Sequence, residues 1–193
     1  MKQRHTDLRM PTRTVAFCGL FAALMTVGAY FKIPLPAPFV PITLQFFFCL
    51  LSGLLLGPKA GALAQIVYVA AGLAGLPVFA QGGGIGYVLQ PSFGYLAGFI
   101  AASFLIGRLS RLRKGPGIGW LFFSCLMGEL LLYTMGFLYL YMIRNWYLAS
   151  PTPLWVALYS GALVYMPTDT LWCLVGAVLA KRLLPALHAR RTA

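Results

Sequence analysis

Ala80-Gln81-Gly82-Gly83-Gly84-Ile85-Gly86-Tyr87-Val88-Leu89-Gln90-Pro91-Ser92-Phe93-Gly94-Tyr95-Leu96-Ala97-Gly98 is the stretch around which the chain is organised. It lies between two apolar segments and is unlike either, with no charge, four glycines in five positions and one proline. Glycine at that density disfavours a helix, because each residue costs backbone entropy and frees the chain to take positive φ. Beside lipid such a backbone would leave N–H and C=O groups unsatisfied, so it is tolerated only against protein or along a cavity. One reading is a ligand pocket walled partly by backbone, Gly84 included. Gln81, Tyr87, Gln90, Ser92 and Tyr95 would then supply the few polar groups of a small-molecule site. The other reading is a solvated loop with a glycine hinge.

The flanking sequence decides the class. Of 193 residues, 60% are hydrophobic and 9% charged, with a mean hydropathy of +0.82. This is far from a soluble composition, and the apolar runs approach the roughly 20 residues that cross a bilayer. The chain therefore reads as an all-α polytopic membrane protein. Its net charge of +12 could point to nucleic acid, but the basic residues sit at the ends of apolar segments, which positive-inside topology explains better. Cys18, Cys49, Cys125 and Cys173 all lie inside apolar segments without metal-ligand spacing and read as packing residues. No signal-peptide cleavage pattern is present, so the first apolar segment is expected to remain as a helix.

Residues 1–13 read as a basic tail. Six helices are expected over about Thr14–Tyr30, Ile42–Leu56, Ala60–Leu76, Pro91–Leu109, Ile118–Ile143 and Leu154–Leu184, the last bent near Pro167, so that 14–186 is a membrane bundle and 187–193 a second basic tail. Between the first two helices, Pro34, Pro36, Pro38 and Pro41 forbid a helix and predict a rigid connector. Lys32 beside it can snorkel to the interface. Six spans with a cytoplasmic N-terminus put thirteen of the fifteen Lys and Arg residues inside, all but Lys32 and Arg144. That asymmetry places both termini in the cytoplasm and the connector and glycine-rich stretch on the outer face. In the first helix, Ala16, Gly19, Ala22 and Ala23 form a small-residue pattern that suits either an external partner helix or packing within the bundle.

Two acids fall within spans, where insertion scales put the cost near ~2.5–3.5 kcal/mol, so each should face the interior and a partner. Asp169 follows Pro167 and could cap a helix start or accept a hydrogen bond from a ligand. Glu129 could serve a ligand or a coupled proton, or bond structurally to a Tyr or Ser. Catalytic constellations are missing: His5 and His188 are in the tails, there is no Walker motif, and the glycine run lacks the dinucleotide spacing.

The order Phe31-Lys32-Ile33-Pro34-Leu35, then Val40-Pro41-Ile42-Thr43-Leu44-Gln45, resembles the biotin-specific substrate-binding S component (the BioY family) of energy-coupling factor transporters. So do Gly57-Pro58-Lys59-Ala60-Gly61, Gly72-Leu73-Ala74-Gly75-Leu76-Pro77-Val78-Phe79, and the glycine-rich stretch itself. The resemblance spans about Val15 to Lys181. It implies the S-component fold in a prokaryotic plasma membrane, with biotin as the transported ligand, no cofactor, no metal and no enzymatic activity. Lipid surrounds such a protein, and its implied partners are a transmembrane coupling subunit and two cytoplasmic ATPases, the first helix docking through Ala16, Gly19, Ala22 and Ala23. Expected ligand contacts are Thr43, Gln45, Gln81, Gly84, Tyr87, Gln90, Ser92, Tyr95, Glu129 and Asp169. The family's sixth helix reads Pro-x-Asp with a Lys three residues on. Pro167 and Asp169 match, and Trp172 stands at the Lys position, which leaves room for a different small molecule. An intramembrane enzyme using Glu129 and Asp169, or a purely structural bundle, are the rival classes.

Overall fold

The structure is a computed structural model that describes residues 12–36 and 39–189. The expectations for Lys2, Arg4, Arg9, Ala37, Pro38, Arg190 and Arg191 lie outside the described residues. Helix α1 spans Thr12–Tyr30, α2 Gln45–Leu56, α3 Pro58–Leu73, α4 Phe93–Ser110 and α5 Ile118–Met142. A last rod comprises α6 (Leu154–Leu158), a wide turn over Tyr159–Leu163 and α7 (Met166–Ala189). Helix α4 packs along α5 and touches α2 and α3, α1 lies on α2 and α3, and α7 lies on α5 and α2. Four helical rods among the described residues are long and apolar enough to cross a membrane: α1, α4, α5 with its extension to Tyr147, and the α6–α7 rod. Helix α2, with 12 residues, rises only about 18 Å at 1.5 Å per residue.

Several expected boundaries move. Helix α1 takes in Thr12 and Arg13, so the N-terminal segment 1–13 is not wholly a tail, and α7 runs three residues past 186. The proline connector does not stay without secondary structure. Lys32–Ile33 (β1) pairs antiparallel with Ile42–Thr43 (β2), Lys32 opposite Thr43 and Ile33 opposite Ile42. The β-branched Ile42 and Thr43 suit that ladder, which starts α2 three residues later than expected. Helix α3 begins at Pro58, whose fixed φ and missing N–H suit a first helical position, and it stops at Leu73. Near Pro167, where a bend is expected, the rod loses regular α-helical bonding over Tyr159–Tyr165, leaving Pro167 in the first turn of α7 where its missing N–H costs nothing. Helix α5 continues beyond Ile143 as a wide turn to Tyr147, which shortens the outer connector expected over Arg144 to Pro153.

The α2–α3–α4 seam is built from small residues. A Cβ on Gly53 would lie 2.6 Å from the Ser103 carbonyl oxygen, and one on Gly107 2.6 Å from the Gly57 carbonyl carbon. Buried hydroxyls bridge the same seam: Ser52 and Ser103 are 2.9 Å apart, and Gln65 Nε2 donates to Ser52 Oγ at 2.9 Å. In a lipid environment close approach and such bonds replace the hydrophobic drive between helices. Gly57, at φ 88°, turns the chain from α2 into α3, a conformation that other residues adopt with strain. All four cysteines are buried and free. Cys18 and Cys49 donate to the Ala60 and Phe99 carbonyls at 3.3 Å.

One end of the bundle gathers the basic segments: Arg111 Nη2 donates to the Leu56 carbonyl at 2.8 Å, and Lys181 Nζ donates to the Pro116 carbonyl at 3.0 Å. At the other end the hairpin meets the glycine-rich stretch, with Tyr30 donating to the Pro77 carbonyl at 2.7 Å and Lys32 to the Ala80 carbonyl.

Candidate ligand-binding site

A cavity holding about 640 Å³ of space, its mouth included, opens where the hairpin, the glycine-rich stretch and helices α2, α4, α5 and α7 converge. Its wall is mainly aromatic and aliphatic, and Asp169 is the acidic group that lines it.

Asp169 sits in the first turn of α7 and is 6% exposed. Its side chain does not cap the helix. Tyr133 of α5 donates to Asp169 Oδ2 at 2.5 Å, the length of a charge-assisted O–H···O bond. Among the described residues Tyr133 is the side-chain hydrogen-bond partner of Asp169. Tyr133 is fixed in turn, stacked on Tyr165 at 6.2 Å and 11° and met edge-on by Tyr95 at 6.2 Å. Tyr95 donates to the Gly161 carbonyl in the wide turn.

Tyr165 ties the Val40 segment to this cluster. Its hydroxyl donates to the Val40 carbonyl at 2.6 Å and accepts from the Val40 N–H at 2.8 Å. Irregular backbone needs such partners when water is scarce. Val40, Pro41, Ile42 and Thr43 are thereby held as cavity wall. Thr43 Oγ1 donates to Gln45 Oε1 at 3.2 Å, Gln45 Nε2 to the Tyr68 hydroxyl at 2.6 Å, and Tyr68 to the Val78 carbonyl at 3.0 Å. Phe79 packs between Tyr68 and Tyr87. Tyr87 accepts from Ser92 Oγ at 3.1 Å. Burial pushes the Tyr87 hydroxyl above the usual phenol range, against a smaller opposing effect of the Ser92 bond, so it stays a neutral hydrogen-bonding group.

The structure thus brings Thr43, Gln45, Tyr87, Ser92, Tyr95 and Asp169 into one cavity. Gln81, Gly84, Gln90 and Glu129 are not in its lining. Gln81 and Gln90 are exposed: Gln81 lies at the tip of the tight turn closed by Phe79 and Gly82, and Gln90 directly follows the 3-10 turn Ile85–Leu89, in which Tyr87 is the buried residue. Gly84 instead shapes the stretch: its φ is 97° and its N–H donates to the Gly72 carbonyl at 2.7 Å. Glu129 is 1% exposed, one helical turn from Tyr133, and accepts from Thr170 Oγ1 at 3.1 Å and Cys173 Sγ at 3.4 Å. Sequence reasoning missed Tyr133 and Tyr165. Tyr133 lies four residues after Glu129 and Tyr165 four before Asp169, so each shares a helical face with an intramembrane acid, a signal that could have singled them out from the other aromatics.

Trp172 packs on Phe47 at 5.1 Å and does not line the cavity. On α1 the small residues divide. Ala22 is buried with Cys18 and Met25, whereas Ala16, Gly19 and Ala23 are exposed beside Leu20 and Val27. A Cβ on Gly19 would meet nothing within 4 Å. No group of three or more His, Cys, Asp or Glu side chains among the described residues could hold a metal ion.

The profile of the BioY family matches residues 1–189. A probable biotin transporter BioY of Lysinibacillus sphaericus is 39% identical over 180 residues, covering 93% of this chain and 91% of its own length. The biotin transporter BioY of Thermotoga maritima is 38% identical over 172 residues, covering 89% and 95%. The crystal structure of the S-component for biotin from an ECF-type ABC transporter matches with a TM-score of 0.78 at 28% identity, over 91% of this chain and 94% of that one.

Proposed function

The chain belongs to the BioY family, and from that premise we propose that it is the membrane subunit that binds biotin for high-affinity uptake through an ATP-driven energy-coupling factor transporter. Its task is binding and delivery, not chemistry. The observation that carries the reading is the Asp169 carboxyl: an acceptor anchored by Tyr133 through one oxygen, and the acidic group in a cavity walled mainly by aromatic and aliphatic side chains. The ureido ring of biotin presents N–H donors that match such an acceptor, and its apolar thiophane ring suits the tyrosine walls. Tyr87, Ser92, Tyr95, Thr43 and Gln45 complete the contacts. Because Trp172 lies away from the cavity, it gives no reason to prefer another vitamin.

Titration of detergent-purified protein with labelled biotin tests this. Saturable binding is expected, with lipoate, which shares the valerate chain and lacks the ureido group, failing to compete. No binding, or equal competition by lipoate, contradicts it. Glu129, outside the lining, is given a structural role: Glu129→Gln keeps an acceptor for Thr170 and should leave biotin affinity within about twofold, since a retained buried hydrogen bond costs little. A larger loss in that titration would return Glu129 to the ligand.

We also infer that both termini lie in the cytoplasm of a prokaryote, on the same side of a six-span bundle. The thirteen-of-fifteen basic asymmetry supports this, and the cavity then opens outward. The partners are a transmembrane coupling subunit and two ATPases. The outward face Ala16, Gly19 and Ala23 suits close approach of a coupling helix, with Ala22 beneath it. Gly19→Trp should leave biotin binding unchanged and reduce uptake by reconstituted transporter at least about tenfold, given the closeness such interfaces need. Undiminished uptake would move the docking face elsewhere.

A further inference from the structure

We propose that Lys32 recognises the ligand carboxylate at the edge of the cavity, and so sets the preference for an acid over its neutral amide. The proposal rests on the biotin reading. Biotin carries N–H donors at one end and a carboxylate at the other. Asp169 serves the first and repels the second, and no Lys, Arg or His lines the cavity among the described residues.

Lys32 is the basic residue that the fold brings to the rim. In the hairpin it stands directly opposite Thr43, and its ammonium donates to the Ala80 carbonyl. Thr43 and Ala80 both line the cavity, so Lys32 is tied to the rim from two sides. An ammonium has three N–H donors. Ala80 takes one, and no acid among the described residues pairs with the group. Charge distribution points the same way. Lys32 and Arg144 are the two exceptions to the basic asymmetry of the chain. Arg144 has a local role, donating to Thr152 Oγ1 at 2.8 Å and to Ser150 Oγ at 3.5 Å to brace its own loop. Lys32 bonds across 48 residues to the glycine-rich stretch at the cavity. A carboxylate at this rim would find a charge in partly solvated surroundings, close enough for a charge-assisted hydrogen bond.

The test compares biotin with biotinamide, which keeps the ureido ring and lacks the negative charge, on unmodified protein, Lys32→Gln and Lys32→Arg. Unmodified protein should prefer biotin by about tenfold at low salt, the scale of one charge-assisted bond, and the preference should shrink as salt is added. In Lys32→Gln, biotin affinity should fall about tenfold with biotinamide unchanged within about twofold. Lys32→Arg should restore most of the preference. The side chain is exposed, so the ligand-free melting temperature of Lys32→Gln should match that of unmodified protein. An unaltered biotin-to-biotinamide ratio in Lys32→Gln, whether both affinities hold or both fall, overturns the assignment of Lys32 alone. Failure of unmodified protein to bind either compound overturns the biotin reading and this proposal with it.

Discussion

Asp169→Asn is expected to weaken biotin binding by at least about 2 kcal/mol, roughly thirtyfold, the low end of what truncating one partner of a buried charged hydrogen bond costs. The variant keeps the size of the side chain, so the cavity walls stay in place. It loses the charge that strengthens acceptance from ureido N–H groups, and it sets an amide N–H₂ where one acceptor oxygen stood. Tyr133 can still donate to the remaining oxygen, so folding should survive. Tyr133→Phe should act more weakly, by about 1 kcal/mol, because it removes the anchor of the acceptor and keeps the acceptor itself. Isothermal titration of the three proteins checks the order. Equal affinity in Asp169→Asn and unmodified protein would remove Asp169 from the ligand.

The second large effect concerns the seam beneath the cavity. Gly53→Val should destabilise the protein by about 3 kcal/mol or more, at the upper end of overpacking costs. Its Cβ would meet the Ser103 carbonyl oxygen at 2.6 Å, Ile106 Cβ at 3.2 Å and the Gly107 nitrogen at 3.3 Å. Two of these are backbone atoms, which cannot turn aside, so α2 and α4 must separate and strain the Ser52–Ser103–Gln65 bonds. Gly19→Ala is the contrasting case. With nothing near its Cβ, it should raise stability by about 0.5–1 kcal/mol, the usual gain for replacing a helical glycine. Thermal unfolding in detergent separates the two. A Gly53→Val protein that melts with the parent would show that this seam does not hold the bundle together.

Much of the architecture was readable from periodicity, punctuation and charge. Hydrophobic runs bounded by Gly57-Pro58 and by the Arg111–Lys114 loop located the helices within a few residues, because chain breakers and interfacial cations act locally. Asp169 was readable because a carboxylate at membrane depth must be explained, and Tyr87, Ser92 and Tyr95 because they flank glycines that cannot face lipid. Long-range pairing was hidden. The β1–β2 ladder depends on Ile33 meeting Ile42 across a proline-rich segment, and proline density predicts only that no helix forms there. Proximity to the glycines groups Gln81 and Gln90 with the pocket, but Gln81 sits in the Phe79–Gly82 turn and Gln90 follows a 3-10 turn that is held by tertiary contacts such as Tyr139 donating to the Val88 carbonyl. On Glu129, inward facing followed from its burial cost, but the depth of the cavity floor did not. The α1 stripe was ambiguous because Cys18 and Ala22 share the spacing of Gly19 and Ala23, and only packing decides which pair faces out.

The most direct test of the account is the melting temperature of the purified protein with and without biotin, with Asp169→Asn alongside. A ligand that binds only the folded state stabilises it by about 2.7 kcal/mol at a hundred times its Kd. The predicted result is a rise in unmodified protein that grows with biotin concentration and is lost in Asp169→Asn at the same concentrations. No rise in folded, unmodified protein, or the same rise in both proteins, would contradict biotin recognition through Asp169.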